Sequence, residues 1–414
     1  MVKLKIAMSH PMREQLISIV RNLKDFEIEK DSIRKIQKNK KEWKKAKTFE
    51  SFESHLNWKN NSNLITIIQR KIGLINIKKY NSDSAEIILA NNAFLISNKP
   101  YITYLEKAPA IFGYTSKVYN SPIGKILLIN RLKDKKLLLI LFRTKTAMKG
   151  FIETFKKNKK IKKLLKQKAI YYYPPLEIKK KITLERFKNP KEVIFFFNSS
   201  SFILKGGYQL VRAFEKLEKE YSNVKLVLLT KKSTIDSESF KKISKNKKIS
   251  FYEPNYTQEE VILNFYLKSH IFIYPTYSDS FSMAINEAIQ TNMPIITSDF
   301  FSIPERIIDR QTGFLFKSPY KNYDKNFVIK NEHFGDYPGI LKEIYYDSKY
   351  NKLKHVEEFL YEKMKFFTKN PYKIYTFAKK VNEFSKKELN YKQQKERINK
   401  IIMDSYKKYQ KGTK

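Results

Sequence analysis

Short apolar runs recur along the chain, among them KLLLILF at 136–142, VIFFF at 193–197 and IFIY at 271–274, and amphipathic, Lys-rich segments separate them. A strand covered on both faces reads as a continuous apolar run, and a helix that covers it carries one apolar stripe. The alternation therefore predicts α/β units built on parallel sheets. With 414 residues, 42% of them hydrophobic, the chain can bury two separate cores.

The first half predicts strands at Lys3–Met8, Ala85–Leu89, Ala93–Ile96, Tyr101–Leu105, Lys136–Phe142 and Ile170–Tyr173, with helices at Pro11–Leu23, Ser121–Arg131 and Thr144–Phe155. Leu176–Pro190 is charged, flanked by prolines, and is the expected linker. A second series follows, with strands at Val193–Phe197, Val224–Leu229, Ile249–Tyr252, Ile271–Tyr274 and Pro294–Ser298 and helices at Gly207–Tyr221, Asp236–Ser244 and Thr257–Ser269. The expected organisation is a domain at 1–175, a linker at 176–190, a second domain at 191–385 and a helical segment at 386–414.

Composition narrows the function classes. The formal net charge is 83 − 41 = +42. Either the protein binds polyanions, or lysine fills every solvated face through compositional bias. Lysines run through the whole chain, which favours bias with some surface steering. No arginine-rich or aromatic RNA-binding motif occurs, so nucleic acid is not an expected partner. The absence of cysteine excludes disulfides, a thiol nucleophile and a thiolate metal site. His55, His270, His333 and His355 have no metal-ligand spacing, and no metal or cofactor is expected. The N-terminus lacks a signal-peptide pattern, and the apolar runs fall far short of the roughly 18 residues of a membrane span. The expectation is a cytoplasmic protein with, at most, peripheral contact at the anionic inner face of the membrane.

The stretch Tyr277–Phe316 reads as loop, helix, strand, loop and strand. Asp279 lies in the first loop, Ser282, Met283 and Ala284 open the helix, and Glu287 sits well inside it. Free backbone N–H groups and partial positive charge at a helix start suit a diphosphate, and an acid in the helix suits ribose hydroxyls. The alternative is a pair of solvated acids. Phe281, Met283, Ala284, Ile285, Ala288 and Ile289 make the helix apolar on most sides, which favours a buried Glu287. Asn198–Lys205 and Pro275–Phe281 each follow a strand, so both loops are expected at one cleft.

These residues resemble family 4 glycosyltransferases, retaining enzymes with the GT-B fold of two Rossmann-like domains whose parallel sheets face a central cleft, which implies that 1–175 is the acceptor side and 191–385 the nucleotide-sugar donor side. The family's E-G-F-G-x-x-x-x-E motif stands here as D-S-F-S-M-A-I-N-E, with Ser280 and Ser282 at glycine positions. P-I-I-T-S-D-F-F-S-I-P-E, Thr312–Leu315 and the Lys205–Gly206 segment resemble further family motifs, in order, over about 192–319. The resemblance implies that Lys205, with Gly206, binds the donor diphosphate and that Glu287 holds the ribose. It further implies that Asp279 lies near the transferred sugar and that the backbone of Ser280, Phe281, Ser282 and Met283 contacts sugar and phosphate. Taken singly, Lys205 also reads as one solvated lysine among many.

Ser200 occupies the position where the family carries a phosphate-binding arginine, and Ser9-His10-Pro11 replaces its glycine-rich loop. Two further candidates follow: His10 at the end of the first strand, otherwise a loop histidine, and Glu106 at a strand end, otherwise a surface carboxylate beside Lys107. Family members often end in a helix that crosses back to the first domain, and Tyr391–Tyr409 is the candidate. The implied function is transfer of a sugar from a nucleoside diphosphate sugar to a lipid, glycan or protein hydroxyl. A weakly active or inactive partner subunit of the same fold and a polyanion-binding protein are the alternatives.

Overall fold

A computed structural model describes residues 4–8, 24–29, 32, 51–56, 68, 71–113, 119–174, 176–178, 180, 182–330 and 337–412. The expected helix at Pro11–Leu23 and the candidate His10 lie outside these residues.

The first half forms strands β1 (Leu4–Met8), β2 (Phe26–Ile28), β3 (Ile77–Lys79), β4 (Ile87–Asn91), β5 (Phe94–Ile96), β6 (Tyr101–Leu105), β7 (Leu137–Phe142) and β8 (Ala169–Tyr171). Six of them make one sheet in the order β2-β1-β4-β6-β7-β8, and β3 pairs with β5 beside it. The second half forms β9 (Val193–Ser199), β10 (Val224–Thr230), β11 (Ile249–Tyr252), β12 (Ile271–Tyr274), β13 (Ile295–Ser298) and β14 (Gly313–Phe316). Their order is β11-β10-β9-β12-β13-β14. Every pairing in both large sheets is parallel. β7 is buried at all six positions, as a strand covered on both faces must be. The order of the second sheet reverses between β9 and β12, the point where open parallel sheets bind ligands at their carboxyl ends.

Two expectations are corrected. The strand expected at Ile170–Tyr173 ends at Tyr171, because Tyr173 leaves the sheet to stack on Phe281 of the second half, 6.5 Å between centroids. The helix expected over Thr257–Ser269 is broken at Phe265 into helix Gln258–Asn264 and a 3₁₀ turn, Tyr266–Lys268. The break turns Phe265 and Tyr266 together onto Phe196 of β9, at 5.8 and 4.9 Å. Packing two rings outweighs the lost helical turn.

The two halves meet along a built seam. Asn286 Nδ2 donates to the Pro174 carbonyl at 2.9 Å. Gln290 donates to the Leu176 carbonyl at 3.1 Å and accepts its N–H at 2.8 Å. Glu305 accepts the Thr146 N–H at 3.1 Å, at the start of helix Lys145–Thr154, where a carboxylate meets the positive helix end. The final helix, Tyr391–Lys411, puts Ile398 and Ile402 into an apolar cluster with Ile6, Met8, Leu89 and Leu139 of the first sheet. None of the described helices is long and apolar enough to cross a membrane.

Gly150 faces the Phe327 carbonyl across the seam, and a Cβ there would lie 2.3 Å from that oxygen. Gly150→Ala is expected to destabilise the protein by about 2 kcal/mol or more, seen as an earlier thermal unfolding midpoint. A melt that coincides with wild type contradicts this packing.

Candidate active site

At the reversal point, the turn after β9 delivers Lys205 and Gly206. Gly206 has φ +67°, and a Cβ there would meet the Pro275 carbonyl at 2.5 Å. Only glycine allows the loops after β9 and β12 to approach this closely. Lys205 Nζ then reaches Asp279 Oδ2 at 2.8 Å, Thr276 Oγ1 at 3.1 Å and the Ser278 carbonyl at 2.5 Å. Its charge also lies 5.2 Å from the centre of the Tyr274 ring. The ion pair is little exposed, 12% and 13% at the two side chains.

Asp279 is held from all sides. The Tyr274 hydroxyl donates to Oδ2 at 3.0 Å, and the N–H groups of Phe281 and Ser282 donate to Oδ1 at 3.1 and 2.7 Å. Burial alone would raise this carboxyl, but the Lys205 ammonium and these hydrogen bonds prevail and hold it below its usual value. Ser282 has φ +56°, a left-handed conformation costly for a residue with a Cβ, at a position where the resembled motif has glycine. Its hydroxyl caps helix Met283–Gln290 by accepting the Ile285 N–H at 3.2 Å, which offsets part of that strain.

Glu287, inside that helix, is buried and accepts from Gln258 Nε2 at 2.8 Å. Burial raises its carboxyl above the usual value, against hydrogen bonds from Gln258 and Tyr266. The Tyr266 hydroxyl shares its one proton between Glu287 and the Ala284 carbonyl, 3.1 Å away, and accepts from Asn198 at the end of β9 at 3.3 Å. Tyr274 feels the charges of both Asp279 and Glu287. The two acids therefore flank one place at the ends of β9 and β12.

Beneath the loop lies Arg306, wholly buried. It donates to the carbonyls of Phe281 and of Ser282, the latter at 3.3 Å, and its guanidinium stacks 4.3 Å from the Phe281 ring centre. The Ser280 carbonyl accepts from Ser302 at 2.9 Å. Met283 begins the helix, half-buried.

Ser200 is exposed at the turn after β9 and adds no charge. Glu106 is buried just after β6 in the first sheet, 3.7 Å from Lys107 Nζ. His270 accepts the Ile194 N–H at 3.0 Å, and burial beside Arg186 lowers its pKa to about 4, a neutral structural role. Gln258, Tyr266, Tyr274 and Arg306 escape sequence reasoning. Tyr274 and Thr276 flank Pro275 at the end of an apolar run, a signal for loop residues at a sheet's carboxyl edge, whereas Gln258 carries none.

The two carboxyls are expected to respond to pH with opposite signs. Lowering the Asp279 pKa gives stability that is present above the ordinary carboxylate range and lost as pH falls through the folded value. Asp279→Asn should therefore cost about 3 kcal/mol at pH 7 and less in acid. For Glu287 the raised value makes the ionised form unfavourable in the fold. Glu287→Gln should raise the melting temperature at pH 7, with the gain vanishing below pH ~4. Parallel melts of both variants across pH check this, and equal shifts at all pH values refute it.

Comparison with known proteins agrees with this fold. Residues 178–326 match the family model of the glycosyl transferases group 1. No curated protein matches the chain in sequence. Among solved structures, HepE of Anabaena in complex with UDP and glucose aligns at TM-score 0.53 and 10% identity, covering 97% of this chain and 100% of that one. A glycosyltransferase from Rickettsia africae ESF-5 aligns at TM-score 0.51 and 13% identity, with 99% of each chain covered. Sucrose-phosphate synthase from Thermosynechococcus elongatus aligns at TM-score 0.50 and 12% identity, covering 77% of this chain and 73% of that one. The chain has the GT-B fold of two Rossmann-like units, and its residues 178–326 carry the sequence pattern of the glycosyl transferases group 1.

Proposed function

We propose that the protein is a retaining glycosyltransferase that moves a sugar from a nucleoside diphosphate sugar to an acceptor hydroxyl on a glycan, lipid or protein. One observation carries the reading. A lysine ammonium and the start of a buried helix converge at the carboxyl ends of β9 and β12, with a second buried carboxylate one helical stretch away. Transfer builds negative charge on the leaving diphosphate. Lys205 and the first-turn N–H groups of Met283 and Ala284, which have no intrahelical acceptor, stabilise that charge. Lys205 exchanges Asp279 for the diphosphate when donor enters, and Asp279 then faces the sugar. Glu287, oriented by Gln258, accepts the ribose hydroxyls. The bound UDP of the Anabaena structure supports testing uridine diphosphate sugars first.

Buried Arg306 adds positive charge under the same helix start, which supports activity despite Ser200. A catalytically silent partner subunit is the second reading, favoured by that exposed, uncharged serine.

Calorimetry with UDP is expected to show binding to wild type and none to Glu287→Ala, while the variant still unfolds cooperatively. Lys205→Ala, which leaves Asp279 without its partner, should lower the melting temperature and, below that temperature, lower transfer or donor hydrolysis by about 10²–10³-fold. Equal nucleotide affinity of Glu287→Ala and wild type overturns the site. A folded wild type that binds UDP but turns over no uridine, guanosine or adenosine diphosphate sugar favours the silent subunit.

A further inference from the structure

Ser282 is the strained point of the candidate site. Its φ of 56° disfavours any side chain with a Cβ, and its ψ of 100° takes it outside the small left-handed well. Its hydroxyl caps the helix, but that bond leaves the two flanking peptides free to turn. A residue in such a conformation persists only where its surroundings over-determine it.

The surroundings are one short segment, 302–306, built on a 3₁₀ turn that contains Pro304. It takes three successive carbonyls of the loop. Ser302 Oγ donates to Ser280 at 2.9 Å, Arg306 Nη2 donates to Phe281, and Arg306 Nη1 donates to Ser282 at 3.3 Å. A guanidinium can hold two carbonyls at once because its donors form a rigid planar fork. The fork is itself fixed, wholly buried and lying 4.3 Å from the centre of the Phe281 ring.

In a planar trans peptide the C=O and N–H point in opposite directions, so each held carbonyl aims the next N–H. With the Phe281 carbonyl on Arg306, the Ser282 N–H turns to Asp279 Oδ1 and donates at 2.7 Å. With the Ser282 carbonyl on Arg306, the Met283 N–H turns away from the guanidinium and out of the amino end of the helix, where no intrahelical carbonyl can take it.

On the glycosyl-transfer reading, on which this inference rests, we propose that Arg306 is a positioning residue. By holding the carbonyls on both sides of Ser282, it aims the Met283 N–H at the donor diphosphate. It thereby does at a serine what a glycine would do without a clamp.

Calorimetry with UDP on the full chain, below the melting temperature of each variant, tests this role. Arg306→Lys keeps the charge and loses the fork, and Arg306→Gln keeps one donor group without charge. Each is also made in the Ser282→Gly protein. Both single variants are expected to weaken UDP binding about tenfold or more. The loss that either causes should shrink to roughly threefold or less when measured from Ser282→Gly, because glycine takes the conformation unaided. An arginine that only supports the fold would lower the melting temperature and leave UDP affinity unchanged. One that acts by charge alone would spare Arg306→Lys. Either result overturns the proposal, and so does an equal loss in the serine and glycine backgrounds or a failure of both double variants to fold. A single variant that fails to fold, while its Ser282→Gly counterpart folds and binds UDP as Ser282→Gly does, upholds it. A wild type that binds none of UDP, GDP and ADP removes the donor reading and this role together, whereas Arg306 variants that match a UDP-binding wild type remove this role alone.

Discussion

Taking an ammonium and a carboxylate out of water costs several kcal/mol per ion, and only close pairing with further hydrogen bonds offsets it. Lys205 and Asp279 meet that condition. Between them they engage Thr276, Tyr274, the Ser278 carbonyl and two backbone N–H groups. The pair consequently fixes the path of the chain from the end of β12 to the start of helix Met283–Gln290. Most lysines among the described residues stand in solvent, whereas this one is built into the fold. It is also the charge that an incoming anion would have to take from Asp279. On the proposed function, the same contacts that order the loop set the cost of donor entry, and a tighter resting pair makes for weaker donor binding.

The loop is also tied to the other half of the molecule. Arg306 grips the carbonyls of Phe281 and Ser282 from below, and its neighbour Glu305 reaches across the seam to the N–H of Thr146. Phe281 contacts both the Arg306 guanidinium and the Tyr173 ring. Two adjacent residues thus join the helix start of the candidate site to a helix start in the first half. Any relative movement of the halves is transmitted to the backbone at 281–282 through side chains that have little free space.

Much of this architecture is legible in the sequence, and the exceptions share a cause. β11 and β12 stand out because each is an apolar run bounded by polar residues, with no competing helical period. Helix Lys159–Lys168 escapes notice because only Ile161 and Leu165 are buried, and lysines fill most other positions. The break at Phe265 is invisible locally, since the rings that cause it pack on Phe196, far away in the sequence. At the candidate site the motif residues Lys205, Gly206, Asp279 and Glu287 are readable from order and spacing. Gln258, Tyr266 and Arg306 acquire their partners only when separate loops are brought together, so no local pattern marks them.

The last helix, Tyr391–Lys411, has a bearing on how the molecule is made. Its Ile398 and Ile402 cover a face of the first sheet formed by Ile6, Met8, Leu89, Ile102 and Leu141. During synthesis that face emerges some hundreds of residues before its cover, and domains tend to fold as they leave the ribosome. The amino-terminal half must therefore wait, with an apolar surface open to water, until the carboxyl-terminal half has been translated. Newborn chains at this stage are candidates for chaperone capture, and the net charge of +42 over the whole chain sets them to repel one another in the interval.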